Sequence, residues 1–194
     1  MARMKKTHAN RGRGWETKLN RIHKRYETSG LAYITRLHPP YLMRKSLGKG
    51  SFEGILLGQG PPDYLICSSG YTLLVDAKES KTNRLSYSGV PEHQAFAFDQ
   101  IRKCGGDKMG GMLLVNFAKA NIAVALDWRA VRERYYFWAR QRVVGKRSAS
   151  GEASLTVDSA QESGLWWGDS LMGGCDYLPT CLLALHSRVL EKEE

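Results

Sequence analysis

Residues 63–78 read DYLICSSGYTLLVDAK. Two apolar runs, DYLIC and YTLLVDA, flank Ser69-Gly70, a glycine-containing pair of the kind that closes a two-residue β-hairpin. With the turn placed there, residues whose numbers total 139 face each other, which sets Asp63 directly opposite Asp76. Side chains opposed in an antiparallel pair have Cβ atoms about 4.5–5.5 Å apart, and like charges at that separation are destabilising. A positive partner is therefore expected between them. Strand alternation puts Lys78 on the same face as Asp76, so Asp63, Asp76 and Lys78 converge, with the backbone carbonyl of Ala77 close by.

Two carboxylates so placed suit a hard divalent ion such as Mg²⁺, which takes oxygen ligands. A lysine beside the ion can orient or help deprotonate a water and can stabilise charge on a pentacovalent phosphate, the requirements of metal-assisted phosphodiester hydrolysis. The ordinary alternative is that Asp63 caps a strand start after Pro61-Pro62 while Asp76 and Lys78 are edge-strand charges. The string D-x-K is common, and it gains weight from the turn-derived pairing and from the charge distribution.

The 194 residues carry a formal net charge of +10. Residues 1–50 hold 13 Lys or Arg against Glu16 and Glu27 only, and the remainder holds 16 against 17, so the excess lies at the front. A segregated basic region is the footprint of a polyanion-binding protein, with nucleic acid the leading partner. With 42% hydrophobic and 25% charged residues, the length suits one core, divided here into a basic flexible arm, 1–13, and a single domain, 14–194. No run of about 18 apolar residues is present to span a bilayer. The opening MARMKKTHANRGRG has no apolar segment, so a cytoplasmic protein with no membrane partner is expected. Cys67, Cys104, Cys175 and Cys181 form no metal-ligand spacing, and disulfides are not expected in that compartment.

Outward from the hairpin, Trp15, Leu19, Ile22 and Tyr26 recur at helical spacing, with Lys18, Arg21, Lys24 and Arg25 on the other sides and Gly30 placed to end a helix over about 14–28. Glu16 falls at the margin of the apolar stripe. LAYITR (31–36) reads as a strand. Residues 41–60, with Arg44, Lys45, Lys49 and Phe52, fit a projecting ribbon or loop. KESKTNRLSYSGVP reads as a polar connection. EHQAFAFDQIRKC (92–104) reads as a helix closed by Gly105-Gly106, 111–127 as two strands with a turn near Ala118–Asn121, and 128–142 as a helix. After a loop-like KRSASGEAS comes a Gly-rich LWWGDSLMGGCDYLPT, in which CDYL, followed by CLLAL, is expected to add an edge strand and a closing helix. This order predicts an α/β or α+β domain around a mixed central sheet.

The set D…D-x-K on a hairpin resembles the PD-(D/E)xK nuclease superfamily. Further stretches are similar to RecU-type Holliday junction resolvases: Asn10-Arg11-Gly12 with Glu16 four places on, HKRYETSGLAYI, His93-Gln94 with Gln100 beyond, the YFW of 136–138, and Asp176-Tyr177. The resemblance covers nearly the whole chain in order. It implies a restriction-endonuclease-like fold, with the ribbon near 41–60 as a somewhat shortened stalk that enters the junction centre. It implies a Mg²⁺-dependent nuclease, with Mn²⁺ able to substitute, in which Asp63 and Asp76 bind the metal and Lys78 serves the attacking water. Gln94 matches a metal-site glutamine and Glu16 an acid brought in from the first helix. For Glu16, an acid favoured by the helix macrodipole is an equally good reading, and for Gln94 a plain amide at a helix start.

Two positions depart from that pattern. Pro61 stands where the family usually has Thr, and Asp76 where Glu is frequent. DNA contacts are expected from Lys5, Lys6, Arg11 and Arg13 on the arm, Lys18, Arg21, Lys24 and Arg25 on the helix, and Arg44, Lys45 and Lys49 on the ribbon, mostly to phosphates, so that shape rather than base sequence decides binding. The resemblance also implies a C₂ homodimer making two symmetric nicks in a four-way junction during recombination and repair, alongside other recombination proteins. Tyr135, Tyr136, Phe137 and Trp138 are candidates for its interface or for the core. Trp166 and Trp167 are read as split between core and an interface, with stacking on exposed bases as the alternative. The rival readings are another nuclease of this superfamily acting on duplex or flaps, and a DNA-binding accessory protein without activity.

Overall fold

Ser69 and Gly70 have φ of 49° and 79°, the left-handed pair of a turn whose twist matches that of its flanking strands. They join β4 (Tyr64–Ser68) to β5 (Tyr71–Ser80) in the expected register, Tyr64 opposite Val75 and Ile66 opposite Leu73. This computed structural model describes residues 13–144, 153–169 and 176–190, with side chains between 14 and 187 within those ranges. The arm with Lys5, Lys6 and Arg11, the side chain of Arg13 and Cys175 lie outside the described residues.

The hairpin sits inside a six-stranded sheet. β1 (Tyr33–Arg36) flanks β4, and β7 (Met109–Phe117), β8 (Ile122–Asp127) and β10 (Trp166–Asp169) follow β5, in the order β1-β4-β5-β7-β8-β10. All neighbours are antiparallel except β5 and β7, which run parallel. Parallel neighbours need a crossover, and α2 (Glu92–Gly105) provides it. Helices cover both faces, so the fold is a mixed α/β sheet of the restriction-endonuclease-like kind.

On one face α1 (Arg13–Thr28) and α5 (Tyr177–Leu190) bury the stripe Trp15, Leu19, Ile22 and Tyr26 against Ile66, Val75 and Leu178. On the other, α2, α3 (Trp128–Val143) and α4 (Val157–Ser163) pack Phe98, Trp128 and Val131 onto Leu113, Val115 and Leu126. Each fully buried side chain of this size contributes about 1.5–3 kcal/mol of transfer free energy. Trp15 is further pinned by its indole N–H, which donates to the Leu114 carbonyl at 3.2 Å.

β2 (Tyr41–Gly48) and β3 (Ser51–Leu56) pair only with each other and are exposed throughout, so residues 41–60 do form a projecting ribbon. The supposed polar connection is more ordered than expected: β5 runs on to Ser80, and β6 (Arg84–Ser86) pairs with β9 (Ser154–Thr156). The C-terminal part also differs. The edge strand is Trp166–Asp169, whereas Tyr177 opens α5 directly. Pro179 falls in the first turn of α5, where a missing N–H costs nothing. A Cβ at Gly168 would lie 2.7 Å from the Trp166 ring, so the glycine lets that indole lie along its own strand. Trp166 packs on the α1/α5 side and Trp167 is exposed. Tyr135 is core, Tyr136 and Trp138 are half-buried against it, and Phe137 is exposed. Cys67, Cys104 and Cys181 are free thiols, and no described helix is long and apolar enough to cross a membrane.

Candidate active site

Asp63 sits one residue before β4, held from two directions. Its carbonyl accepts the Leu37 N–H at 2.8 Å, and its Oδ2 accepts the Ala77 N–H at 2.8 Å. The side chain thus continues the β4–β5 ladder past its last backbone pair, and strand capping and site placement are here the same contact. The Ala77 amide, rather than its carbonyl, makes that contact.

Asp76 is fully buried, and neither carboxylate oxygen has a well-directed hydrogen-bond donor. Lys78 Nζ lies 2.7 Å from its Oδ2 in an ion pair. Burial pushes the Asp76 carboxyl up to about 6; Lys78 works against that rise and the nearby Asp63 charge adds to it. An orphaned buried carboxylate costs several kcal/mol unless something positive compensates it, and one lysine compensates it in part.

Lys78 is positioned in turn by α2. Its Nζ donates to Gln94 Oε1 at 3.0 Å, and Gln94 Nε2 reaches the Pro61 carbonyl at 3.5 Å. Gln94 sits in the first turn of α2 and is buried. Pro61 has no hydroxyl, yet its carbonyl ties the loop before Asp63 to the same amide that holds Lys78. The loop, β5 and α2 therefore bring Asp63, Asp76, Lys78 and Gln94 together on the α2 face of the sheet.

Glu16 arrives from the other face. It starts α1, pairs with Arg36 of β1, and lines with Lys78 a groove of about 680 Å³ at the end of β5. Among the described residues no three His, Cys, Asp or Glu side chains gather closely enough to hold a metal ion, so Glu16 does not complete a carboxylate trio here. Arg36 was missed by the sequence reading, because a helix-to-strand ion pair across 20 positions leaves no periodic signal.

Two carboxylates without a third still suit Mg²⁺, which keeps several waters and is commonly held by one or two carboxylates together with substrate phosphate. The buried charge of Asp76, met in part by Lys78, is what such an ion would compensate, and Mn²⁺ takes the same donors.

The basic residues are spread around this cluster. Arg21, Lys24 and Arg25 are exposed on α1, with Lys24 4.0 Å from Glu27, and Lys18 is half-buried. Arg44, Lys45 and Lys49 lie on the exposed ribbon, Lys49 in its turn and Lys45 opposite Glu53. No described contact joins Arg44, Lys45 or Lys49 to the acidic cluster. A separate hollow of about 300 Å³ lies at the opposite end of the sheet, between α2 and α3, where Asp99, Asp107 and Asp127 already pair with Arg102, Arg129 and Arg132.

A family model described as RecU: Recombination protein U matches residues 10–160, more than three quarters of the chain. That span includes Glu16, Asp63, Asp76, Lys78, Gln94 and the basic residues of α1 and the ribbon. No curated protein matches the sequence.

Proposed function

The chain belongs to the RecU family of recombination proteins, and on that premise we propose that it is a divalent-cation-dependent endonuclease that resolves four-way DNA junctions. The observation that carries this reading is Asp76: a fully buried carboxylate beside Asp63, whose Oδ2 pairs with Lys78 while its Oδ1 meets no well-directed donor. Evolution has little structural reason to bury such a group, and a site for phosphodiester hydrolysis supplies one.

Asp63 and Asp76 would hold Mg²⁺, or Mn²⁺ in its place. When bound, the ion supplies Lewis-acid polarisation of the phosphodiester and an acidified water. Lys78 spends one N–H on Gln94 and pairs with Asp76, which leaves a donor to aim at a phosphate oxygen or the attacking water. Its fixed ammonium is worth most where negative charge grows in the transition state. The water oxygen bonds to phosphorus, the bond to the 3′ oxygen breaks, and a proton passes to that oxygen, leaving a 5′-phosphate and a 3′-hydroxyl. Gln94 keeps Lys78 from collapsing wholly onto Asp76. Glu16, tied to Arg36 at the groove's rim, borders the path of the DNA.

The ribbon supports junction selectivity. It projects Leu42, Met43, Leu47 and Phe52 together with Arg44, Lys45 and Lys49, an exposed apolar surface of a kind that monomers rarely leave unused. At a branch centre, unstacked bases meet the apolar residues while phosphates meet the cations. Two copies related by a twofold axis would place two such sites on the two strands to be cut.

The test is to incubate the protein with a labelled four-way junction and with linear duplex of the same sequence, in Mg²⁺ or EDTA. Paired nicks confined to the junction and dependent on Mg²⁺ are expected. Equal cutting of linear duplex would leave a general nuclease, and binding without cutting an accessory protein.

A further inference from the structure

The charge count places the basic excess in the first 50 residues, yet α3 carries Arg129, Arg132, Arg134, Arg140 and Arg142 against Glu133 alone. Most of these are committed. Arg129 binds Asp127, Arg132 binds Asp99, and Arg134 donates to Ser159. Arg140 and Arg142 have no acidic partner among the described residues; Arg142 lies over the Trp138 ring at 5.8 Å, within the roughly 6 Å reach of a cation–π contact.

A second pair of uncommitted cations lies just past Lys78. Lys81 and Arg84 are exposed, and neither meets a carboxylate among the described residues. The turn that carries them is tightly held: Ser80 Oγ and Thr82 Oγ1 both donate to the Arg84 carbonyl, at 2.6 and 3.0 Å, and Arg84 N–H donates back to Thr82 Oγ1. The pairing of β6 with β9 anchors its far side. Nearby Glu79 is occupied by the Asn116 amide at 3.1 Å.

These two pairs are joined by surface. The groove that holds Glu16 and Lys78 continues past Lys81 and Arg84 to Ser88. Ser88 also lines a second hollow, of about 570 Å³, which leads to Arg140 and Arg142. The acids along this path are Glu16, paired with Arg36, Glu79, already bound, and Glu92.

We propose that Lys81, Arg84, Arg140 and Arg142 form a phosphate-binding track that grips the DNA arm leaving the active site, separate from the basic front and the ribbon. This rests on the nuclease reading for the direction of the strand. DNA is favoured over an acidic protein because the track is continuous with the groove of Lys78 and because hydroxyls of Ser86 and Ser88 line it between the cations, a combination suited to successive phosphates.

The experiment measures junction binding in EDTA over a range of salt, with the double variants Lys81→Ala/Arg84→Gln and Arg140→Gln/Arg142→Gln. A control, Lys103→Ala/Lys108→Ala, removes two exposed charges at the opposite end of the sheet. Each track variant should weaken binding roughly tenfold and lower the slope of log affinity against log salt by about one to two, while the control leaves both unchanged. Hydroxyl-radical footprinting of the parent protein, which needs no variant to fold, should show protection extending from the branch along one arm. Unchanged slopes in variants that melt like the parent, or protection confined to the branch point, would overturn the track. A parent protein that cuts no junction while the slopes fall as expected leaves the track standing and removes the nuclease reading instead.

Discussion

Two hairpins of this molecule close on the same turn and meet opposite fates. β4–β5 turns at Ser69-Gly70 with φ of 49° and 79°; β2–β3 turns at Lys49-Gly50 with φ of 51° and 75°. Both carry apolar residues in quantity. The inner hairpin alternates buried and half-buried side chains and ends in a fully buried aspartate, whereas every residue of the outer ribbon is exposed, Leu56 and Leu47 among them. Turn chemistry thus makes a hairpin, and what packs on it decides whether it becomes core or probe. α1, α5 and α2 cover the inner pair. Nothing described covers the outer one.

The comparison breaks most visibly at Asp76. Asp76→Asn should lower junction cleavage by more than about a hundredfold, the scale on which a transition-state charge contact acts, while leaving junction binding in EDTA nearly intact. If cleavage and binding fall together, the inner hairpin holds only the fold. Next in size is packing. Ile66→Ala in the inner hairpin should destabilise the protein by about 2–5 kcal/mol in urea titration; a loss under 1 kcal/mol would show that the two hairpins are not distinguished by burial.

The third effect has the opposite sign. Burial raises the Asp76 carboxyl from near 3.8 to about 6, so between those values the folded state keeps a proton that the unfolded chain has released. Stability contributed by this group therefore falls as pH rises from about 4 to about 6 and is level above. Without metal, Asp76→Asn removes that cost, and the variant should gain up to about 3 kcal/mol over the parent at neutral pH and nothing near pH 3. Mg²⁺ should raise the melting temperature of the parent and leave that of the variant unmoved. His23 tilts the background the other way: burial lowers it to about 4, so its contribution is lost as pH falls from about 6.5 towards 4, and parent and variant must be compared at each pH. Smallest is the ribbon, where Leu47→Ala or Leu56→Ala should change stability by no more than about 0.5 kcal/mol while reducing the preference for junction over duplex. A stability loss above 2 kcal/mol there would mean the ribbon is packed against something.

Legibility in the sequence followed the range of the interaction. Ser69-Gly70 gave away the hairpin and its register, and with it the meeting of Asp63, Asp76 and Lys78, because turn type and a period of two are properties of neighbours along the chain. α1 was readable from Trp15, Leu19, Ile22 and Tyr26 for the same reason. The tail was not: Trp166–Asp169 opens a glycine-rich stretch and shows no strand pattern until β8 is beside it, and α4 is too short to show a period. Glu16 shows the limit within the site. Its place at the edge of the stripe was evident, but its pairing with Arg36 depends on how α1 crosses β1.

From the order of residues alone follow the hairpin of 63–78, a projecting ribbon or loop at 41–60, an amphipathic basic helix and an acidic pair that must find a cation, since steric and alternation rules act within a few residues. Which hairpin is buried, how far Asp76 is stripped of water, and whether Lys81 and Arg84 share a surface with Arg140 and Arg142 were decided only by assembly. Those properties depend on desolvation and on contacts between segments far apart in the chain, and neither exists until the sheet is covered.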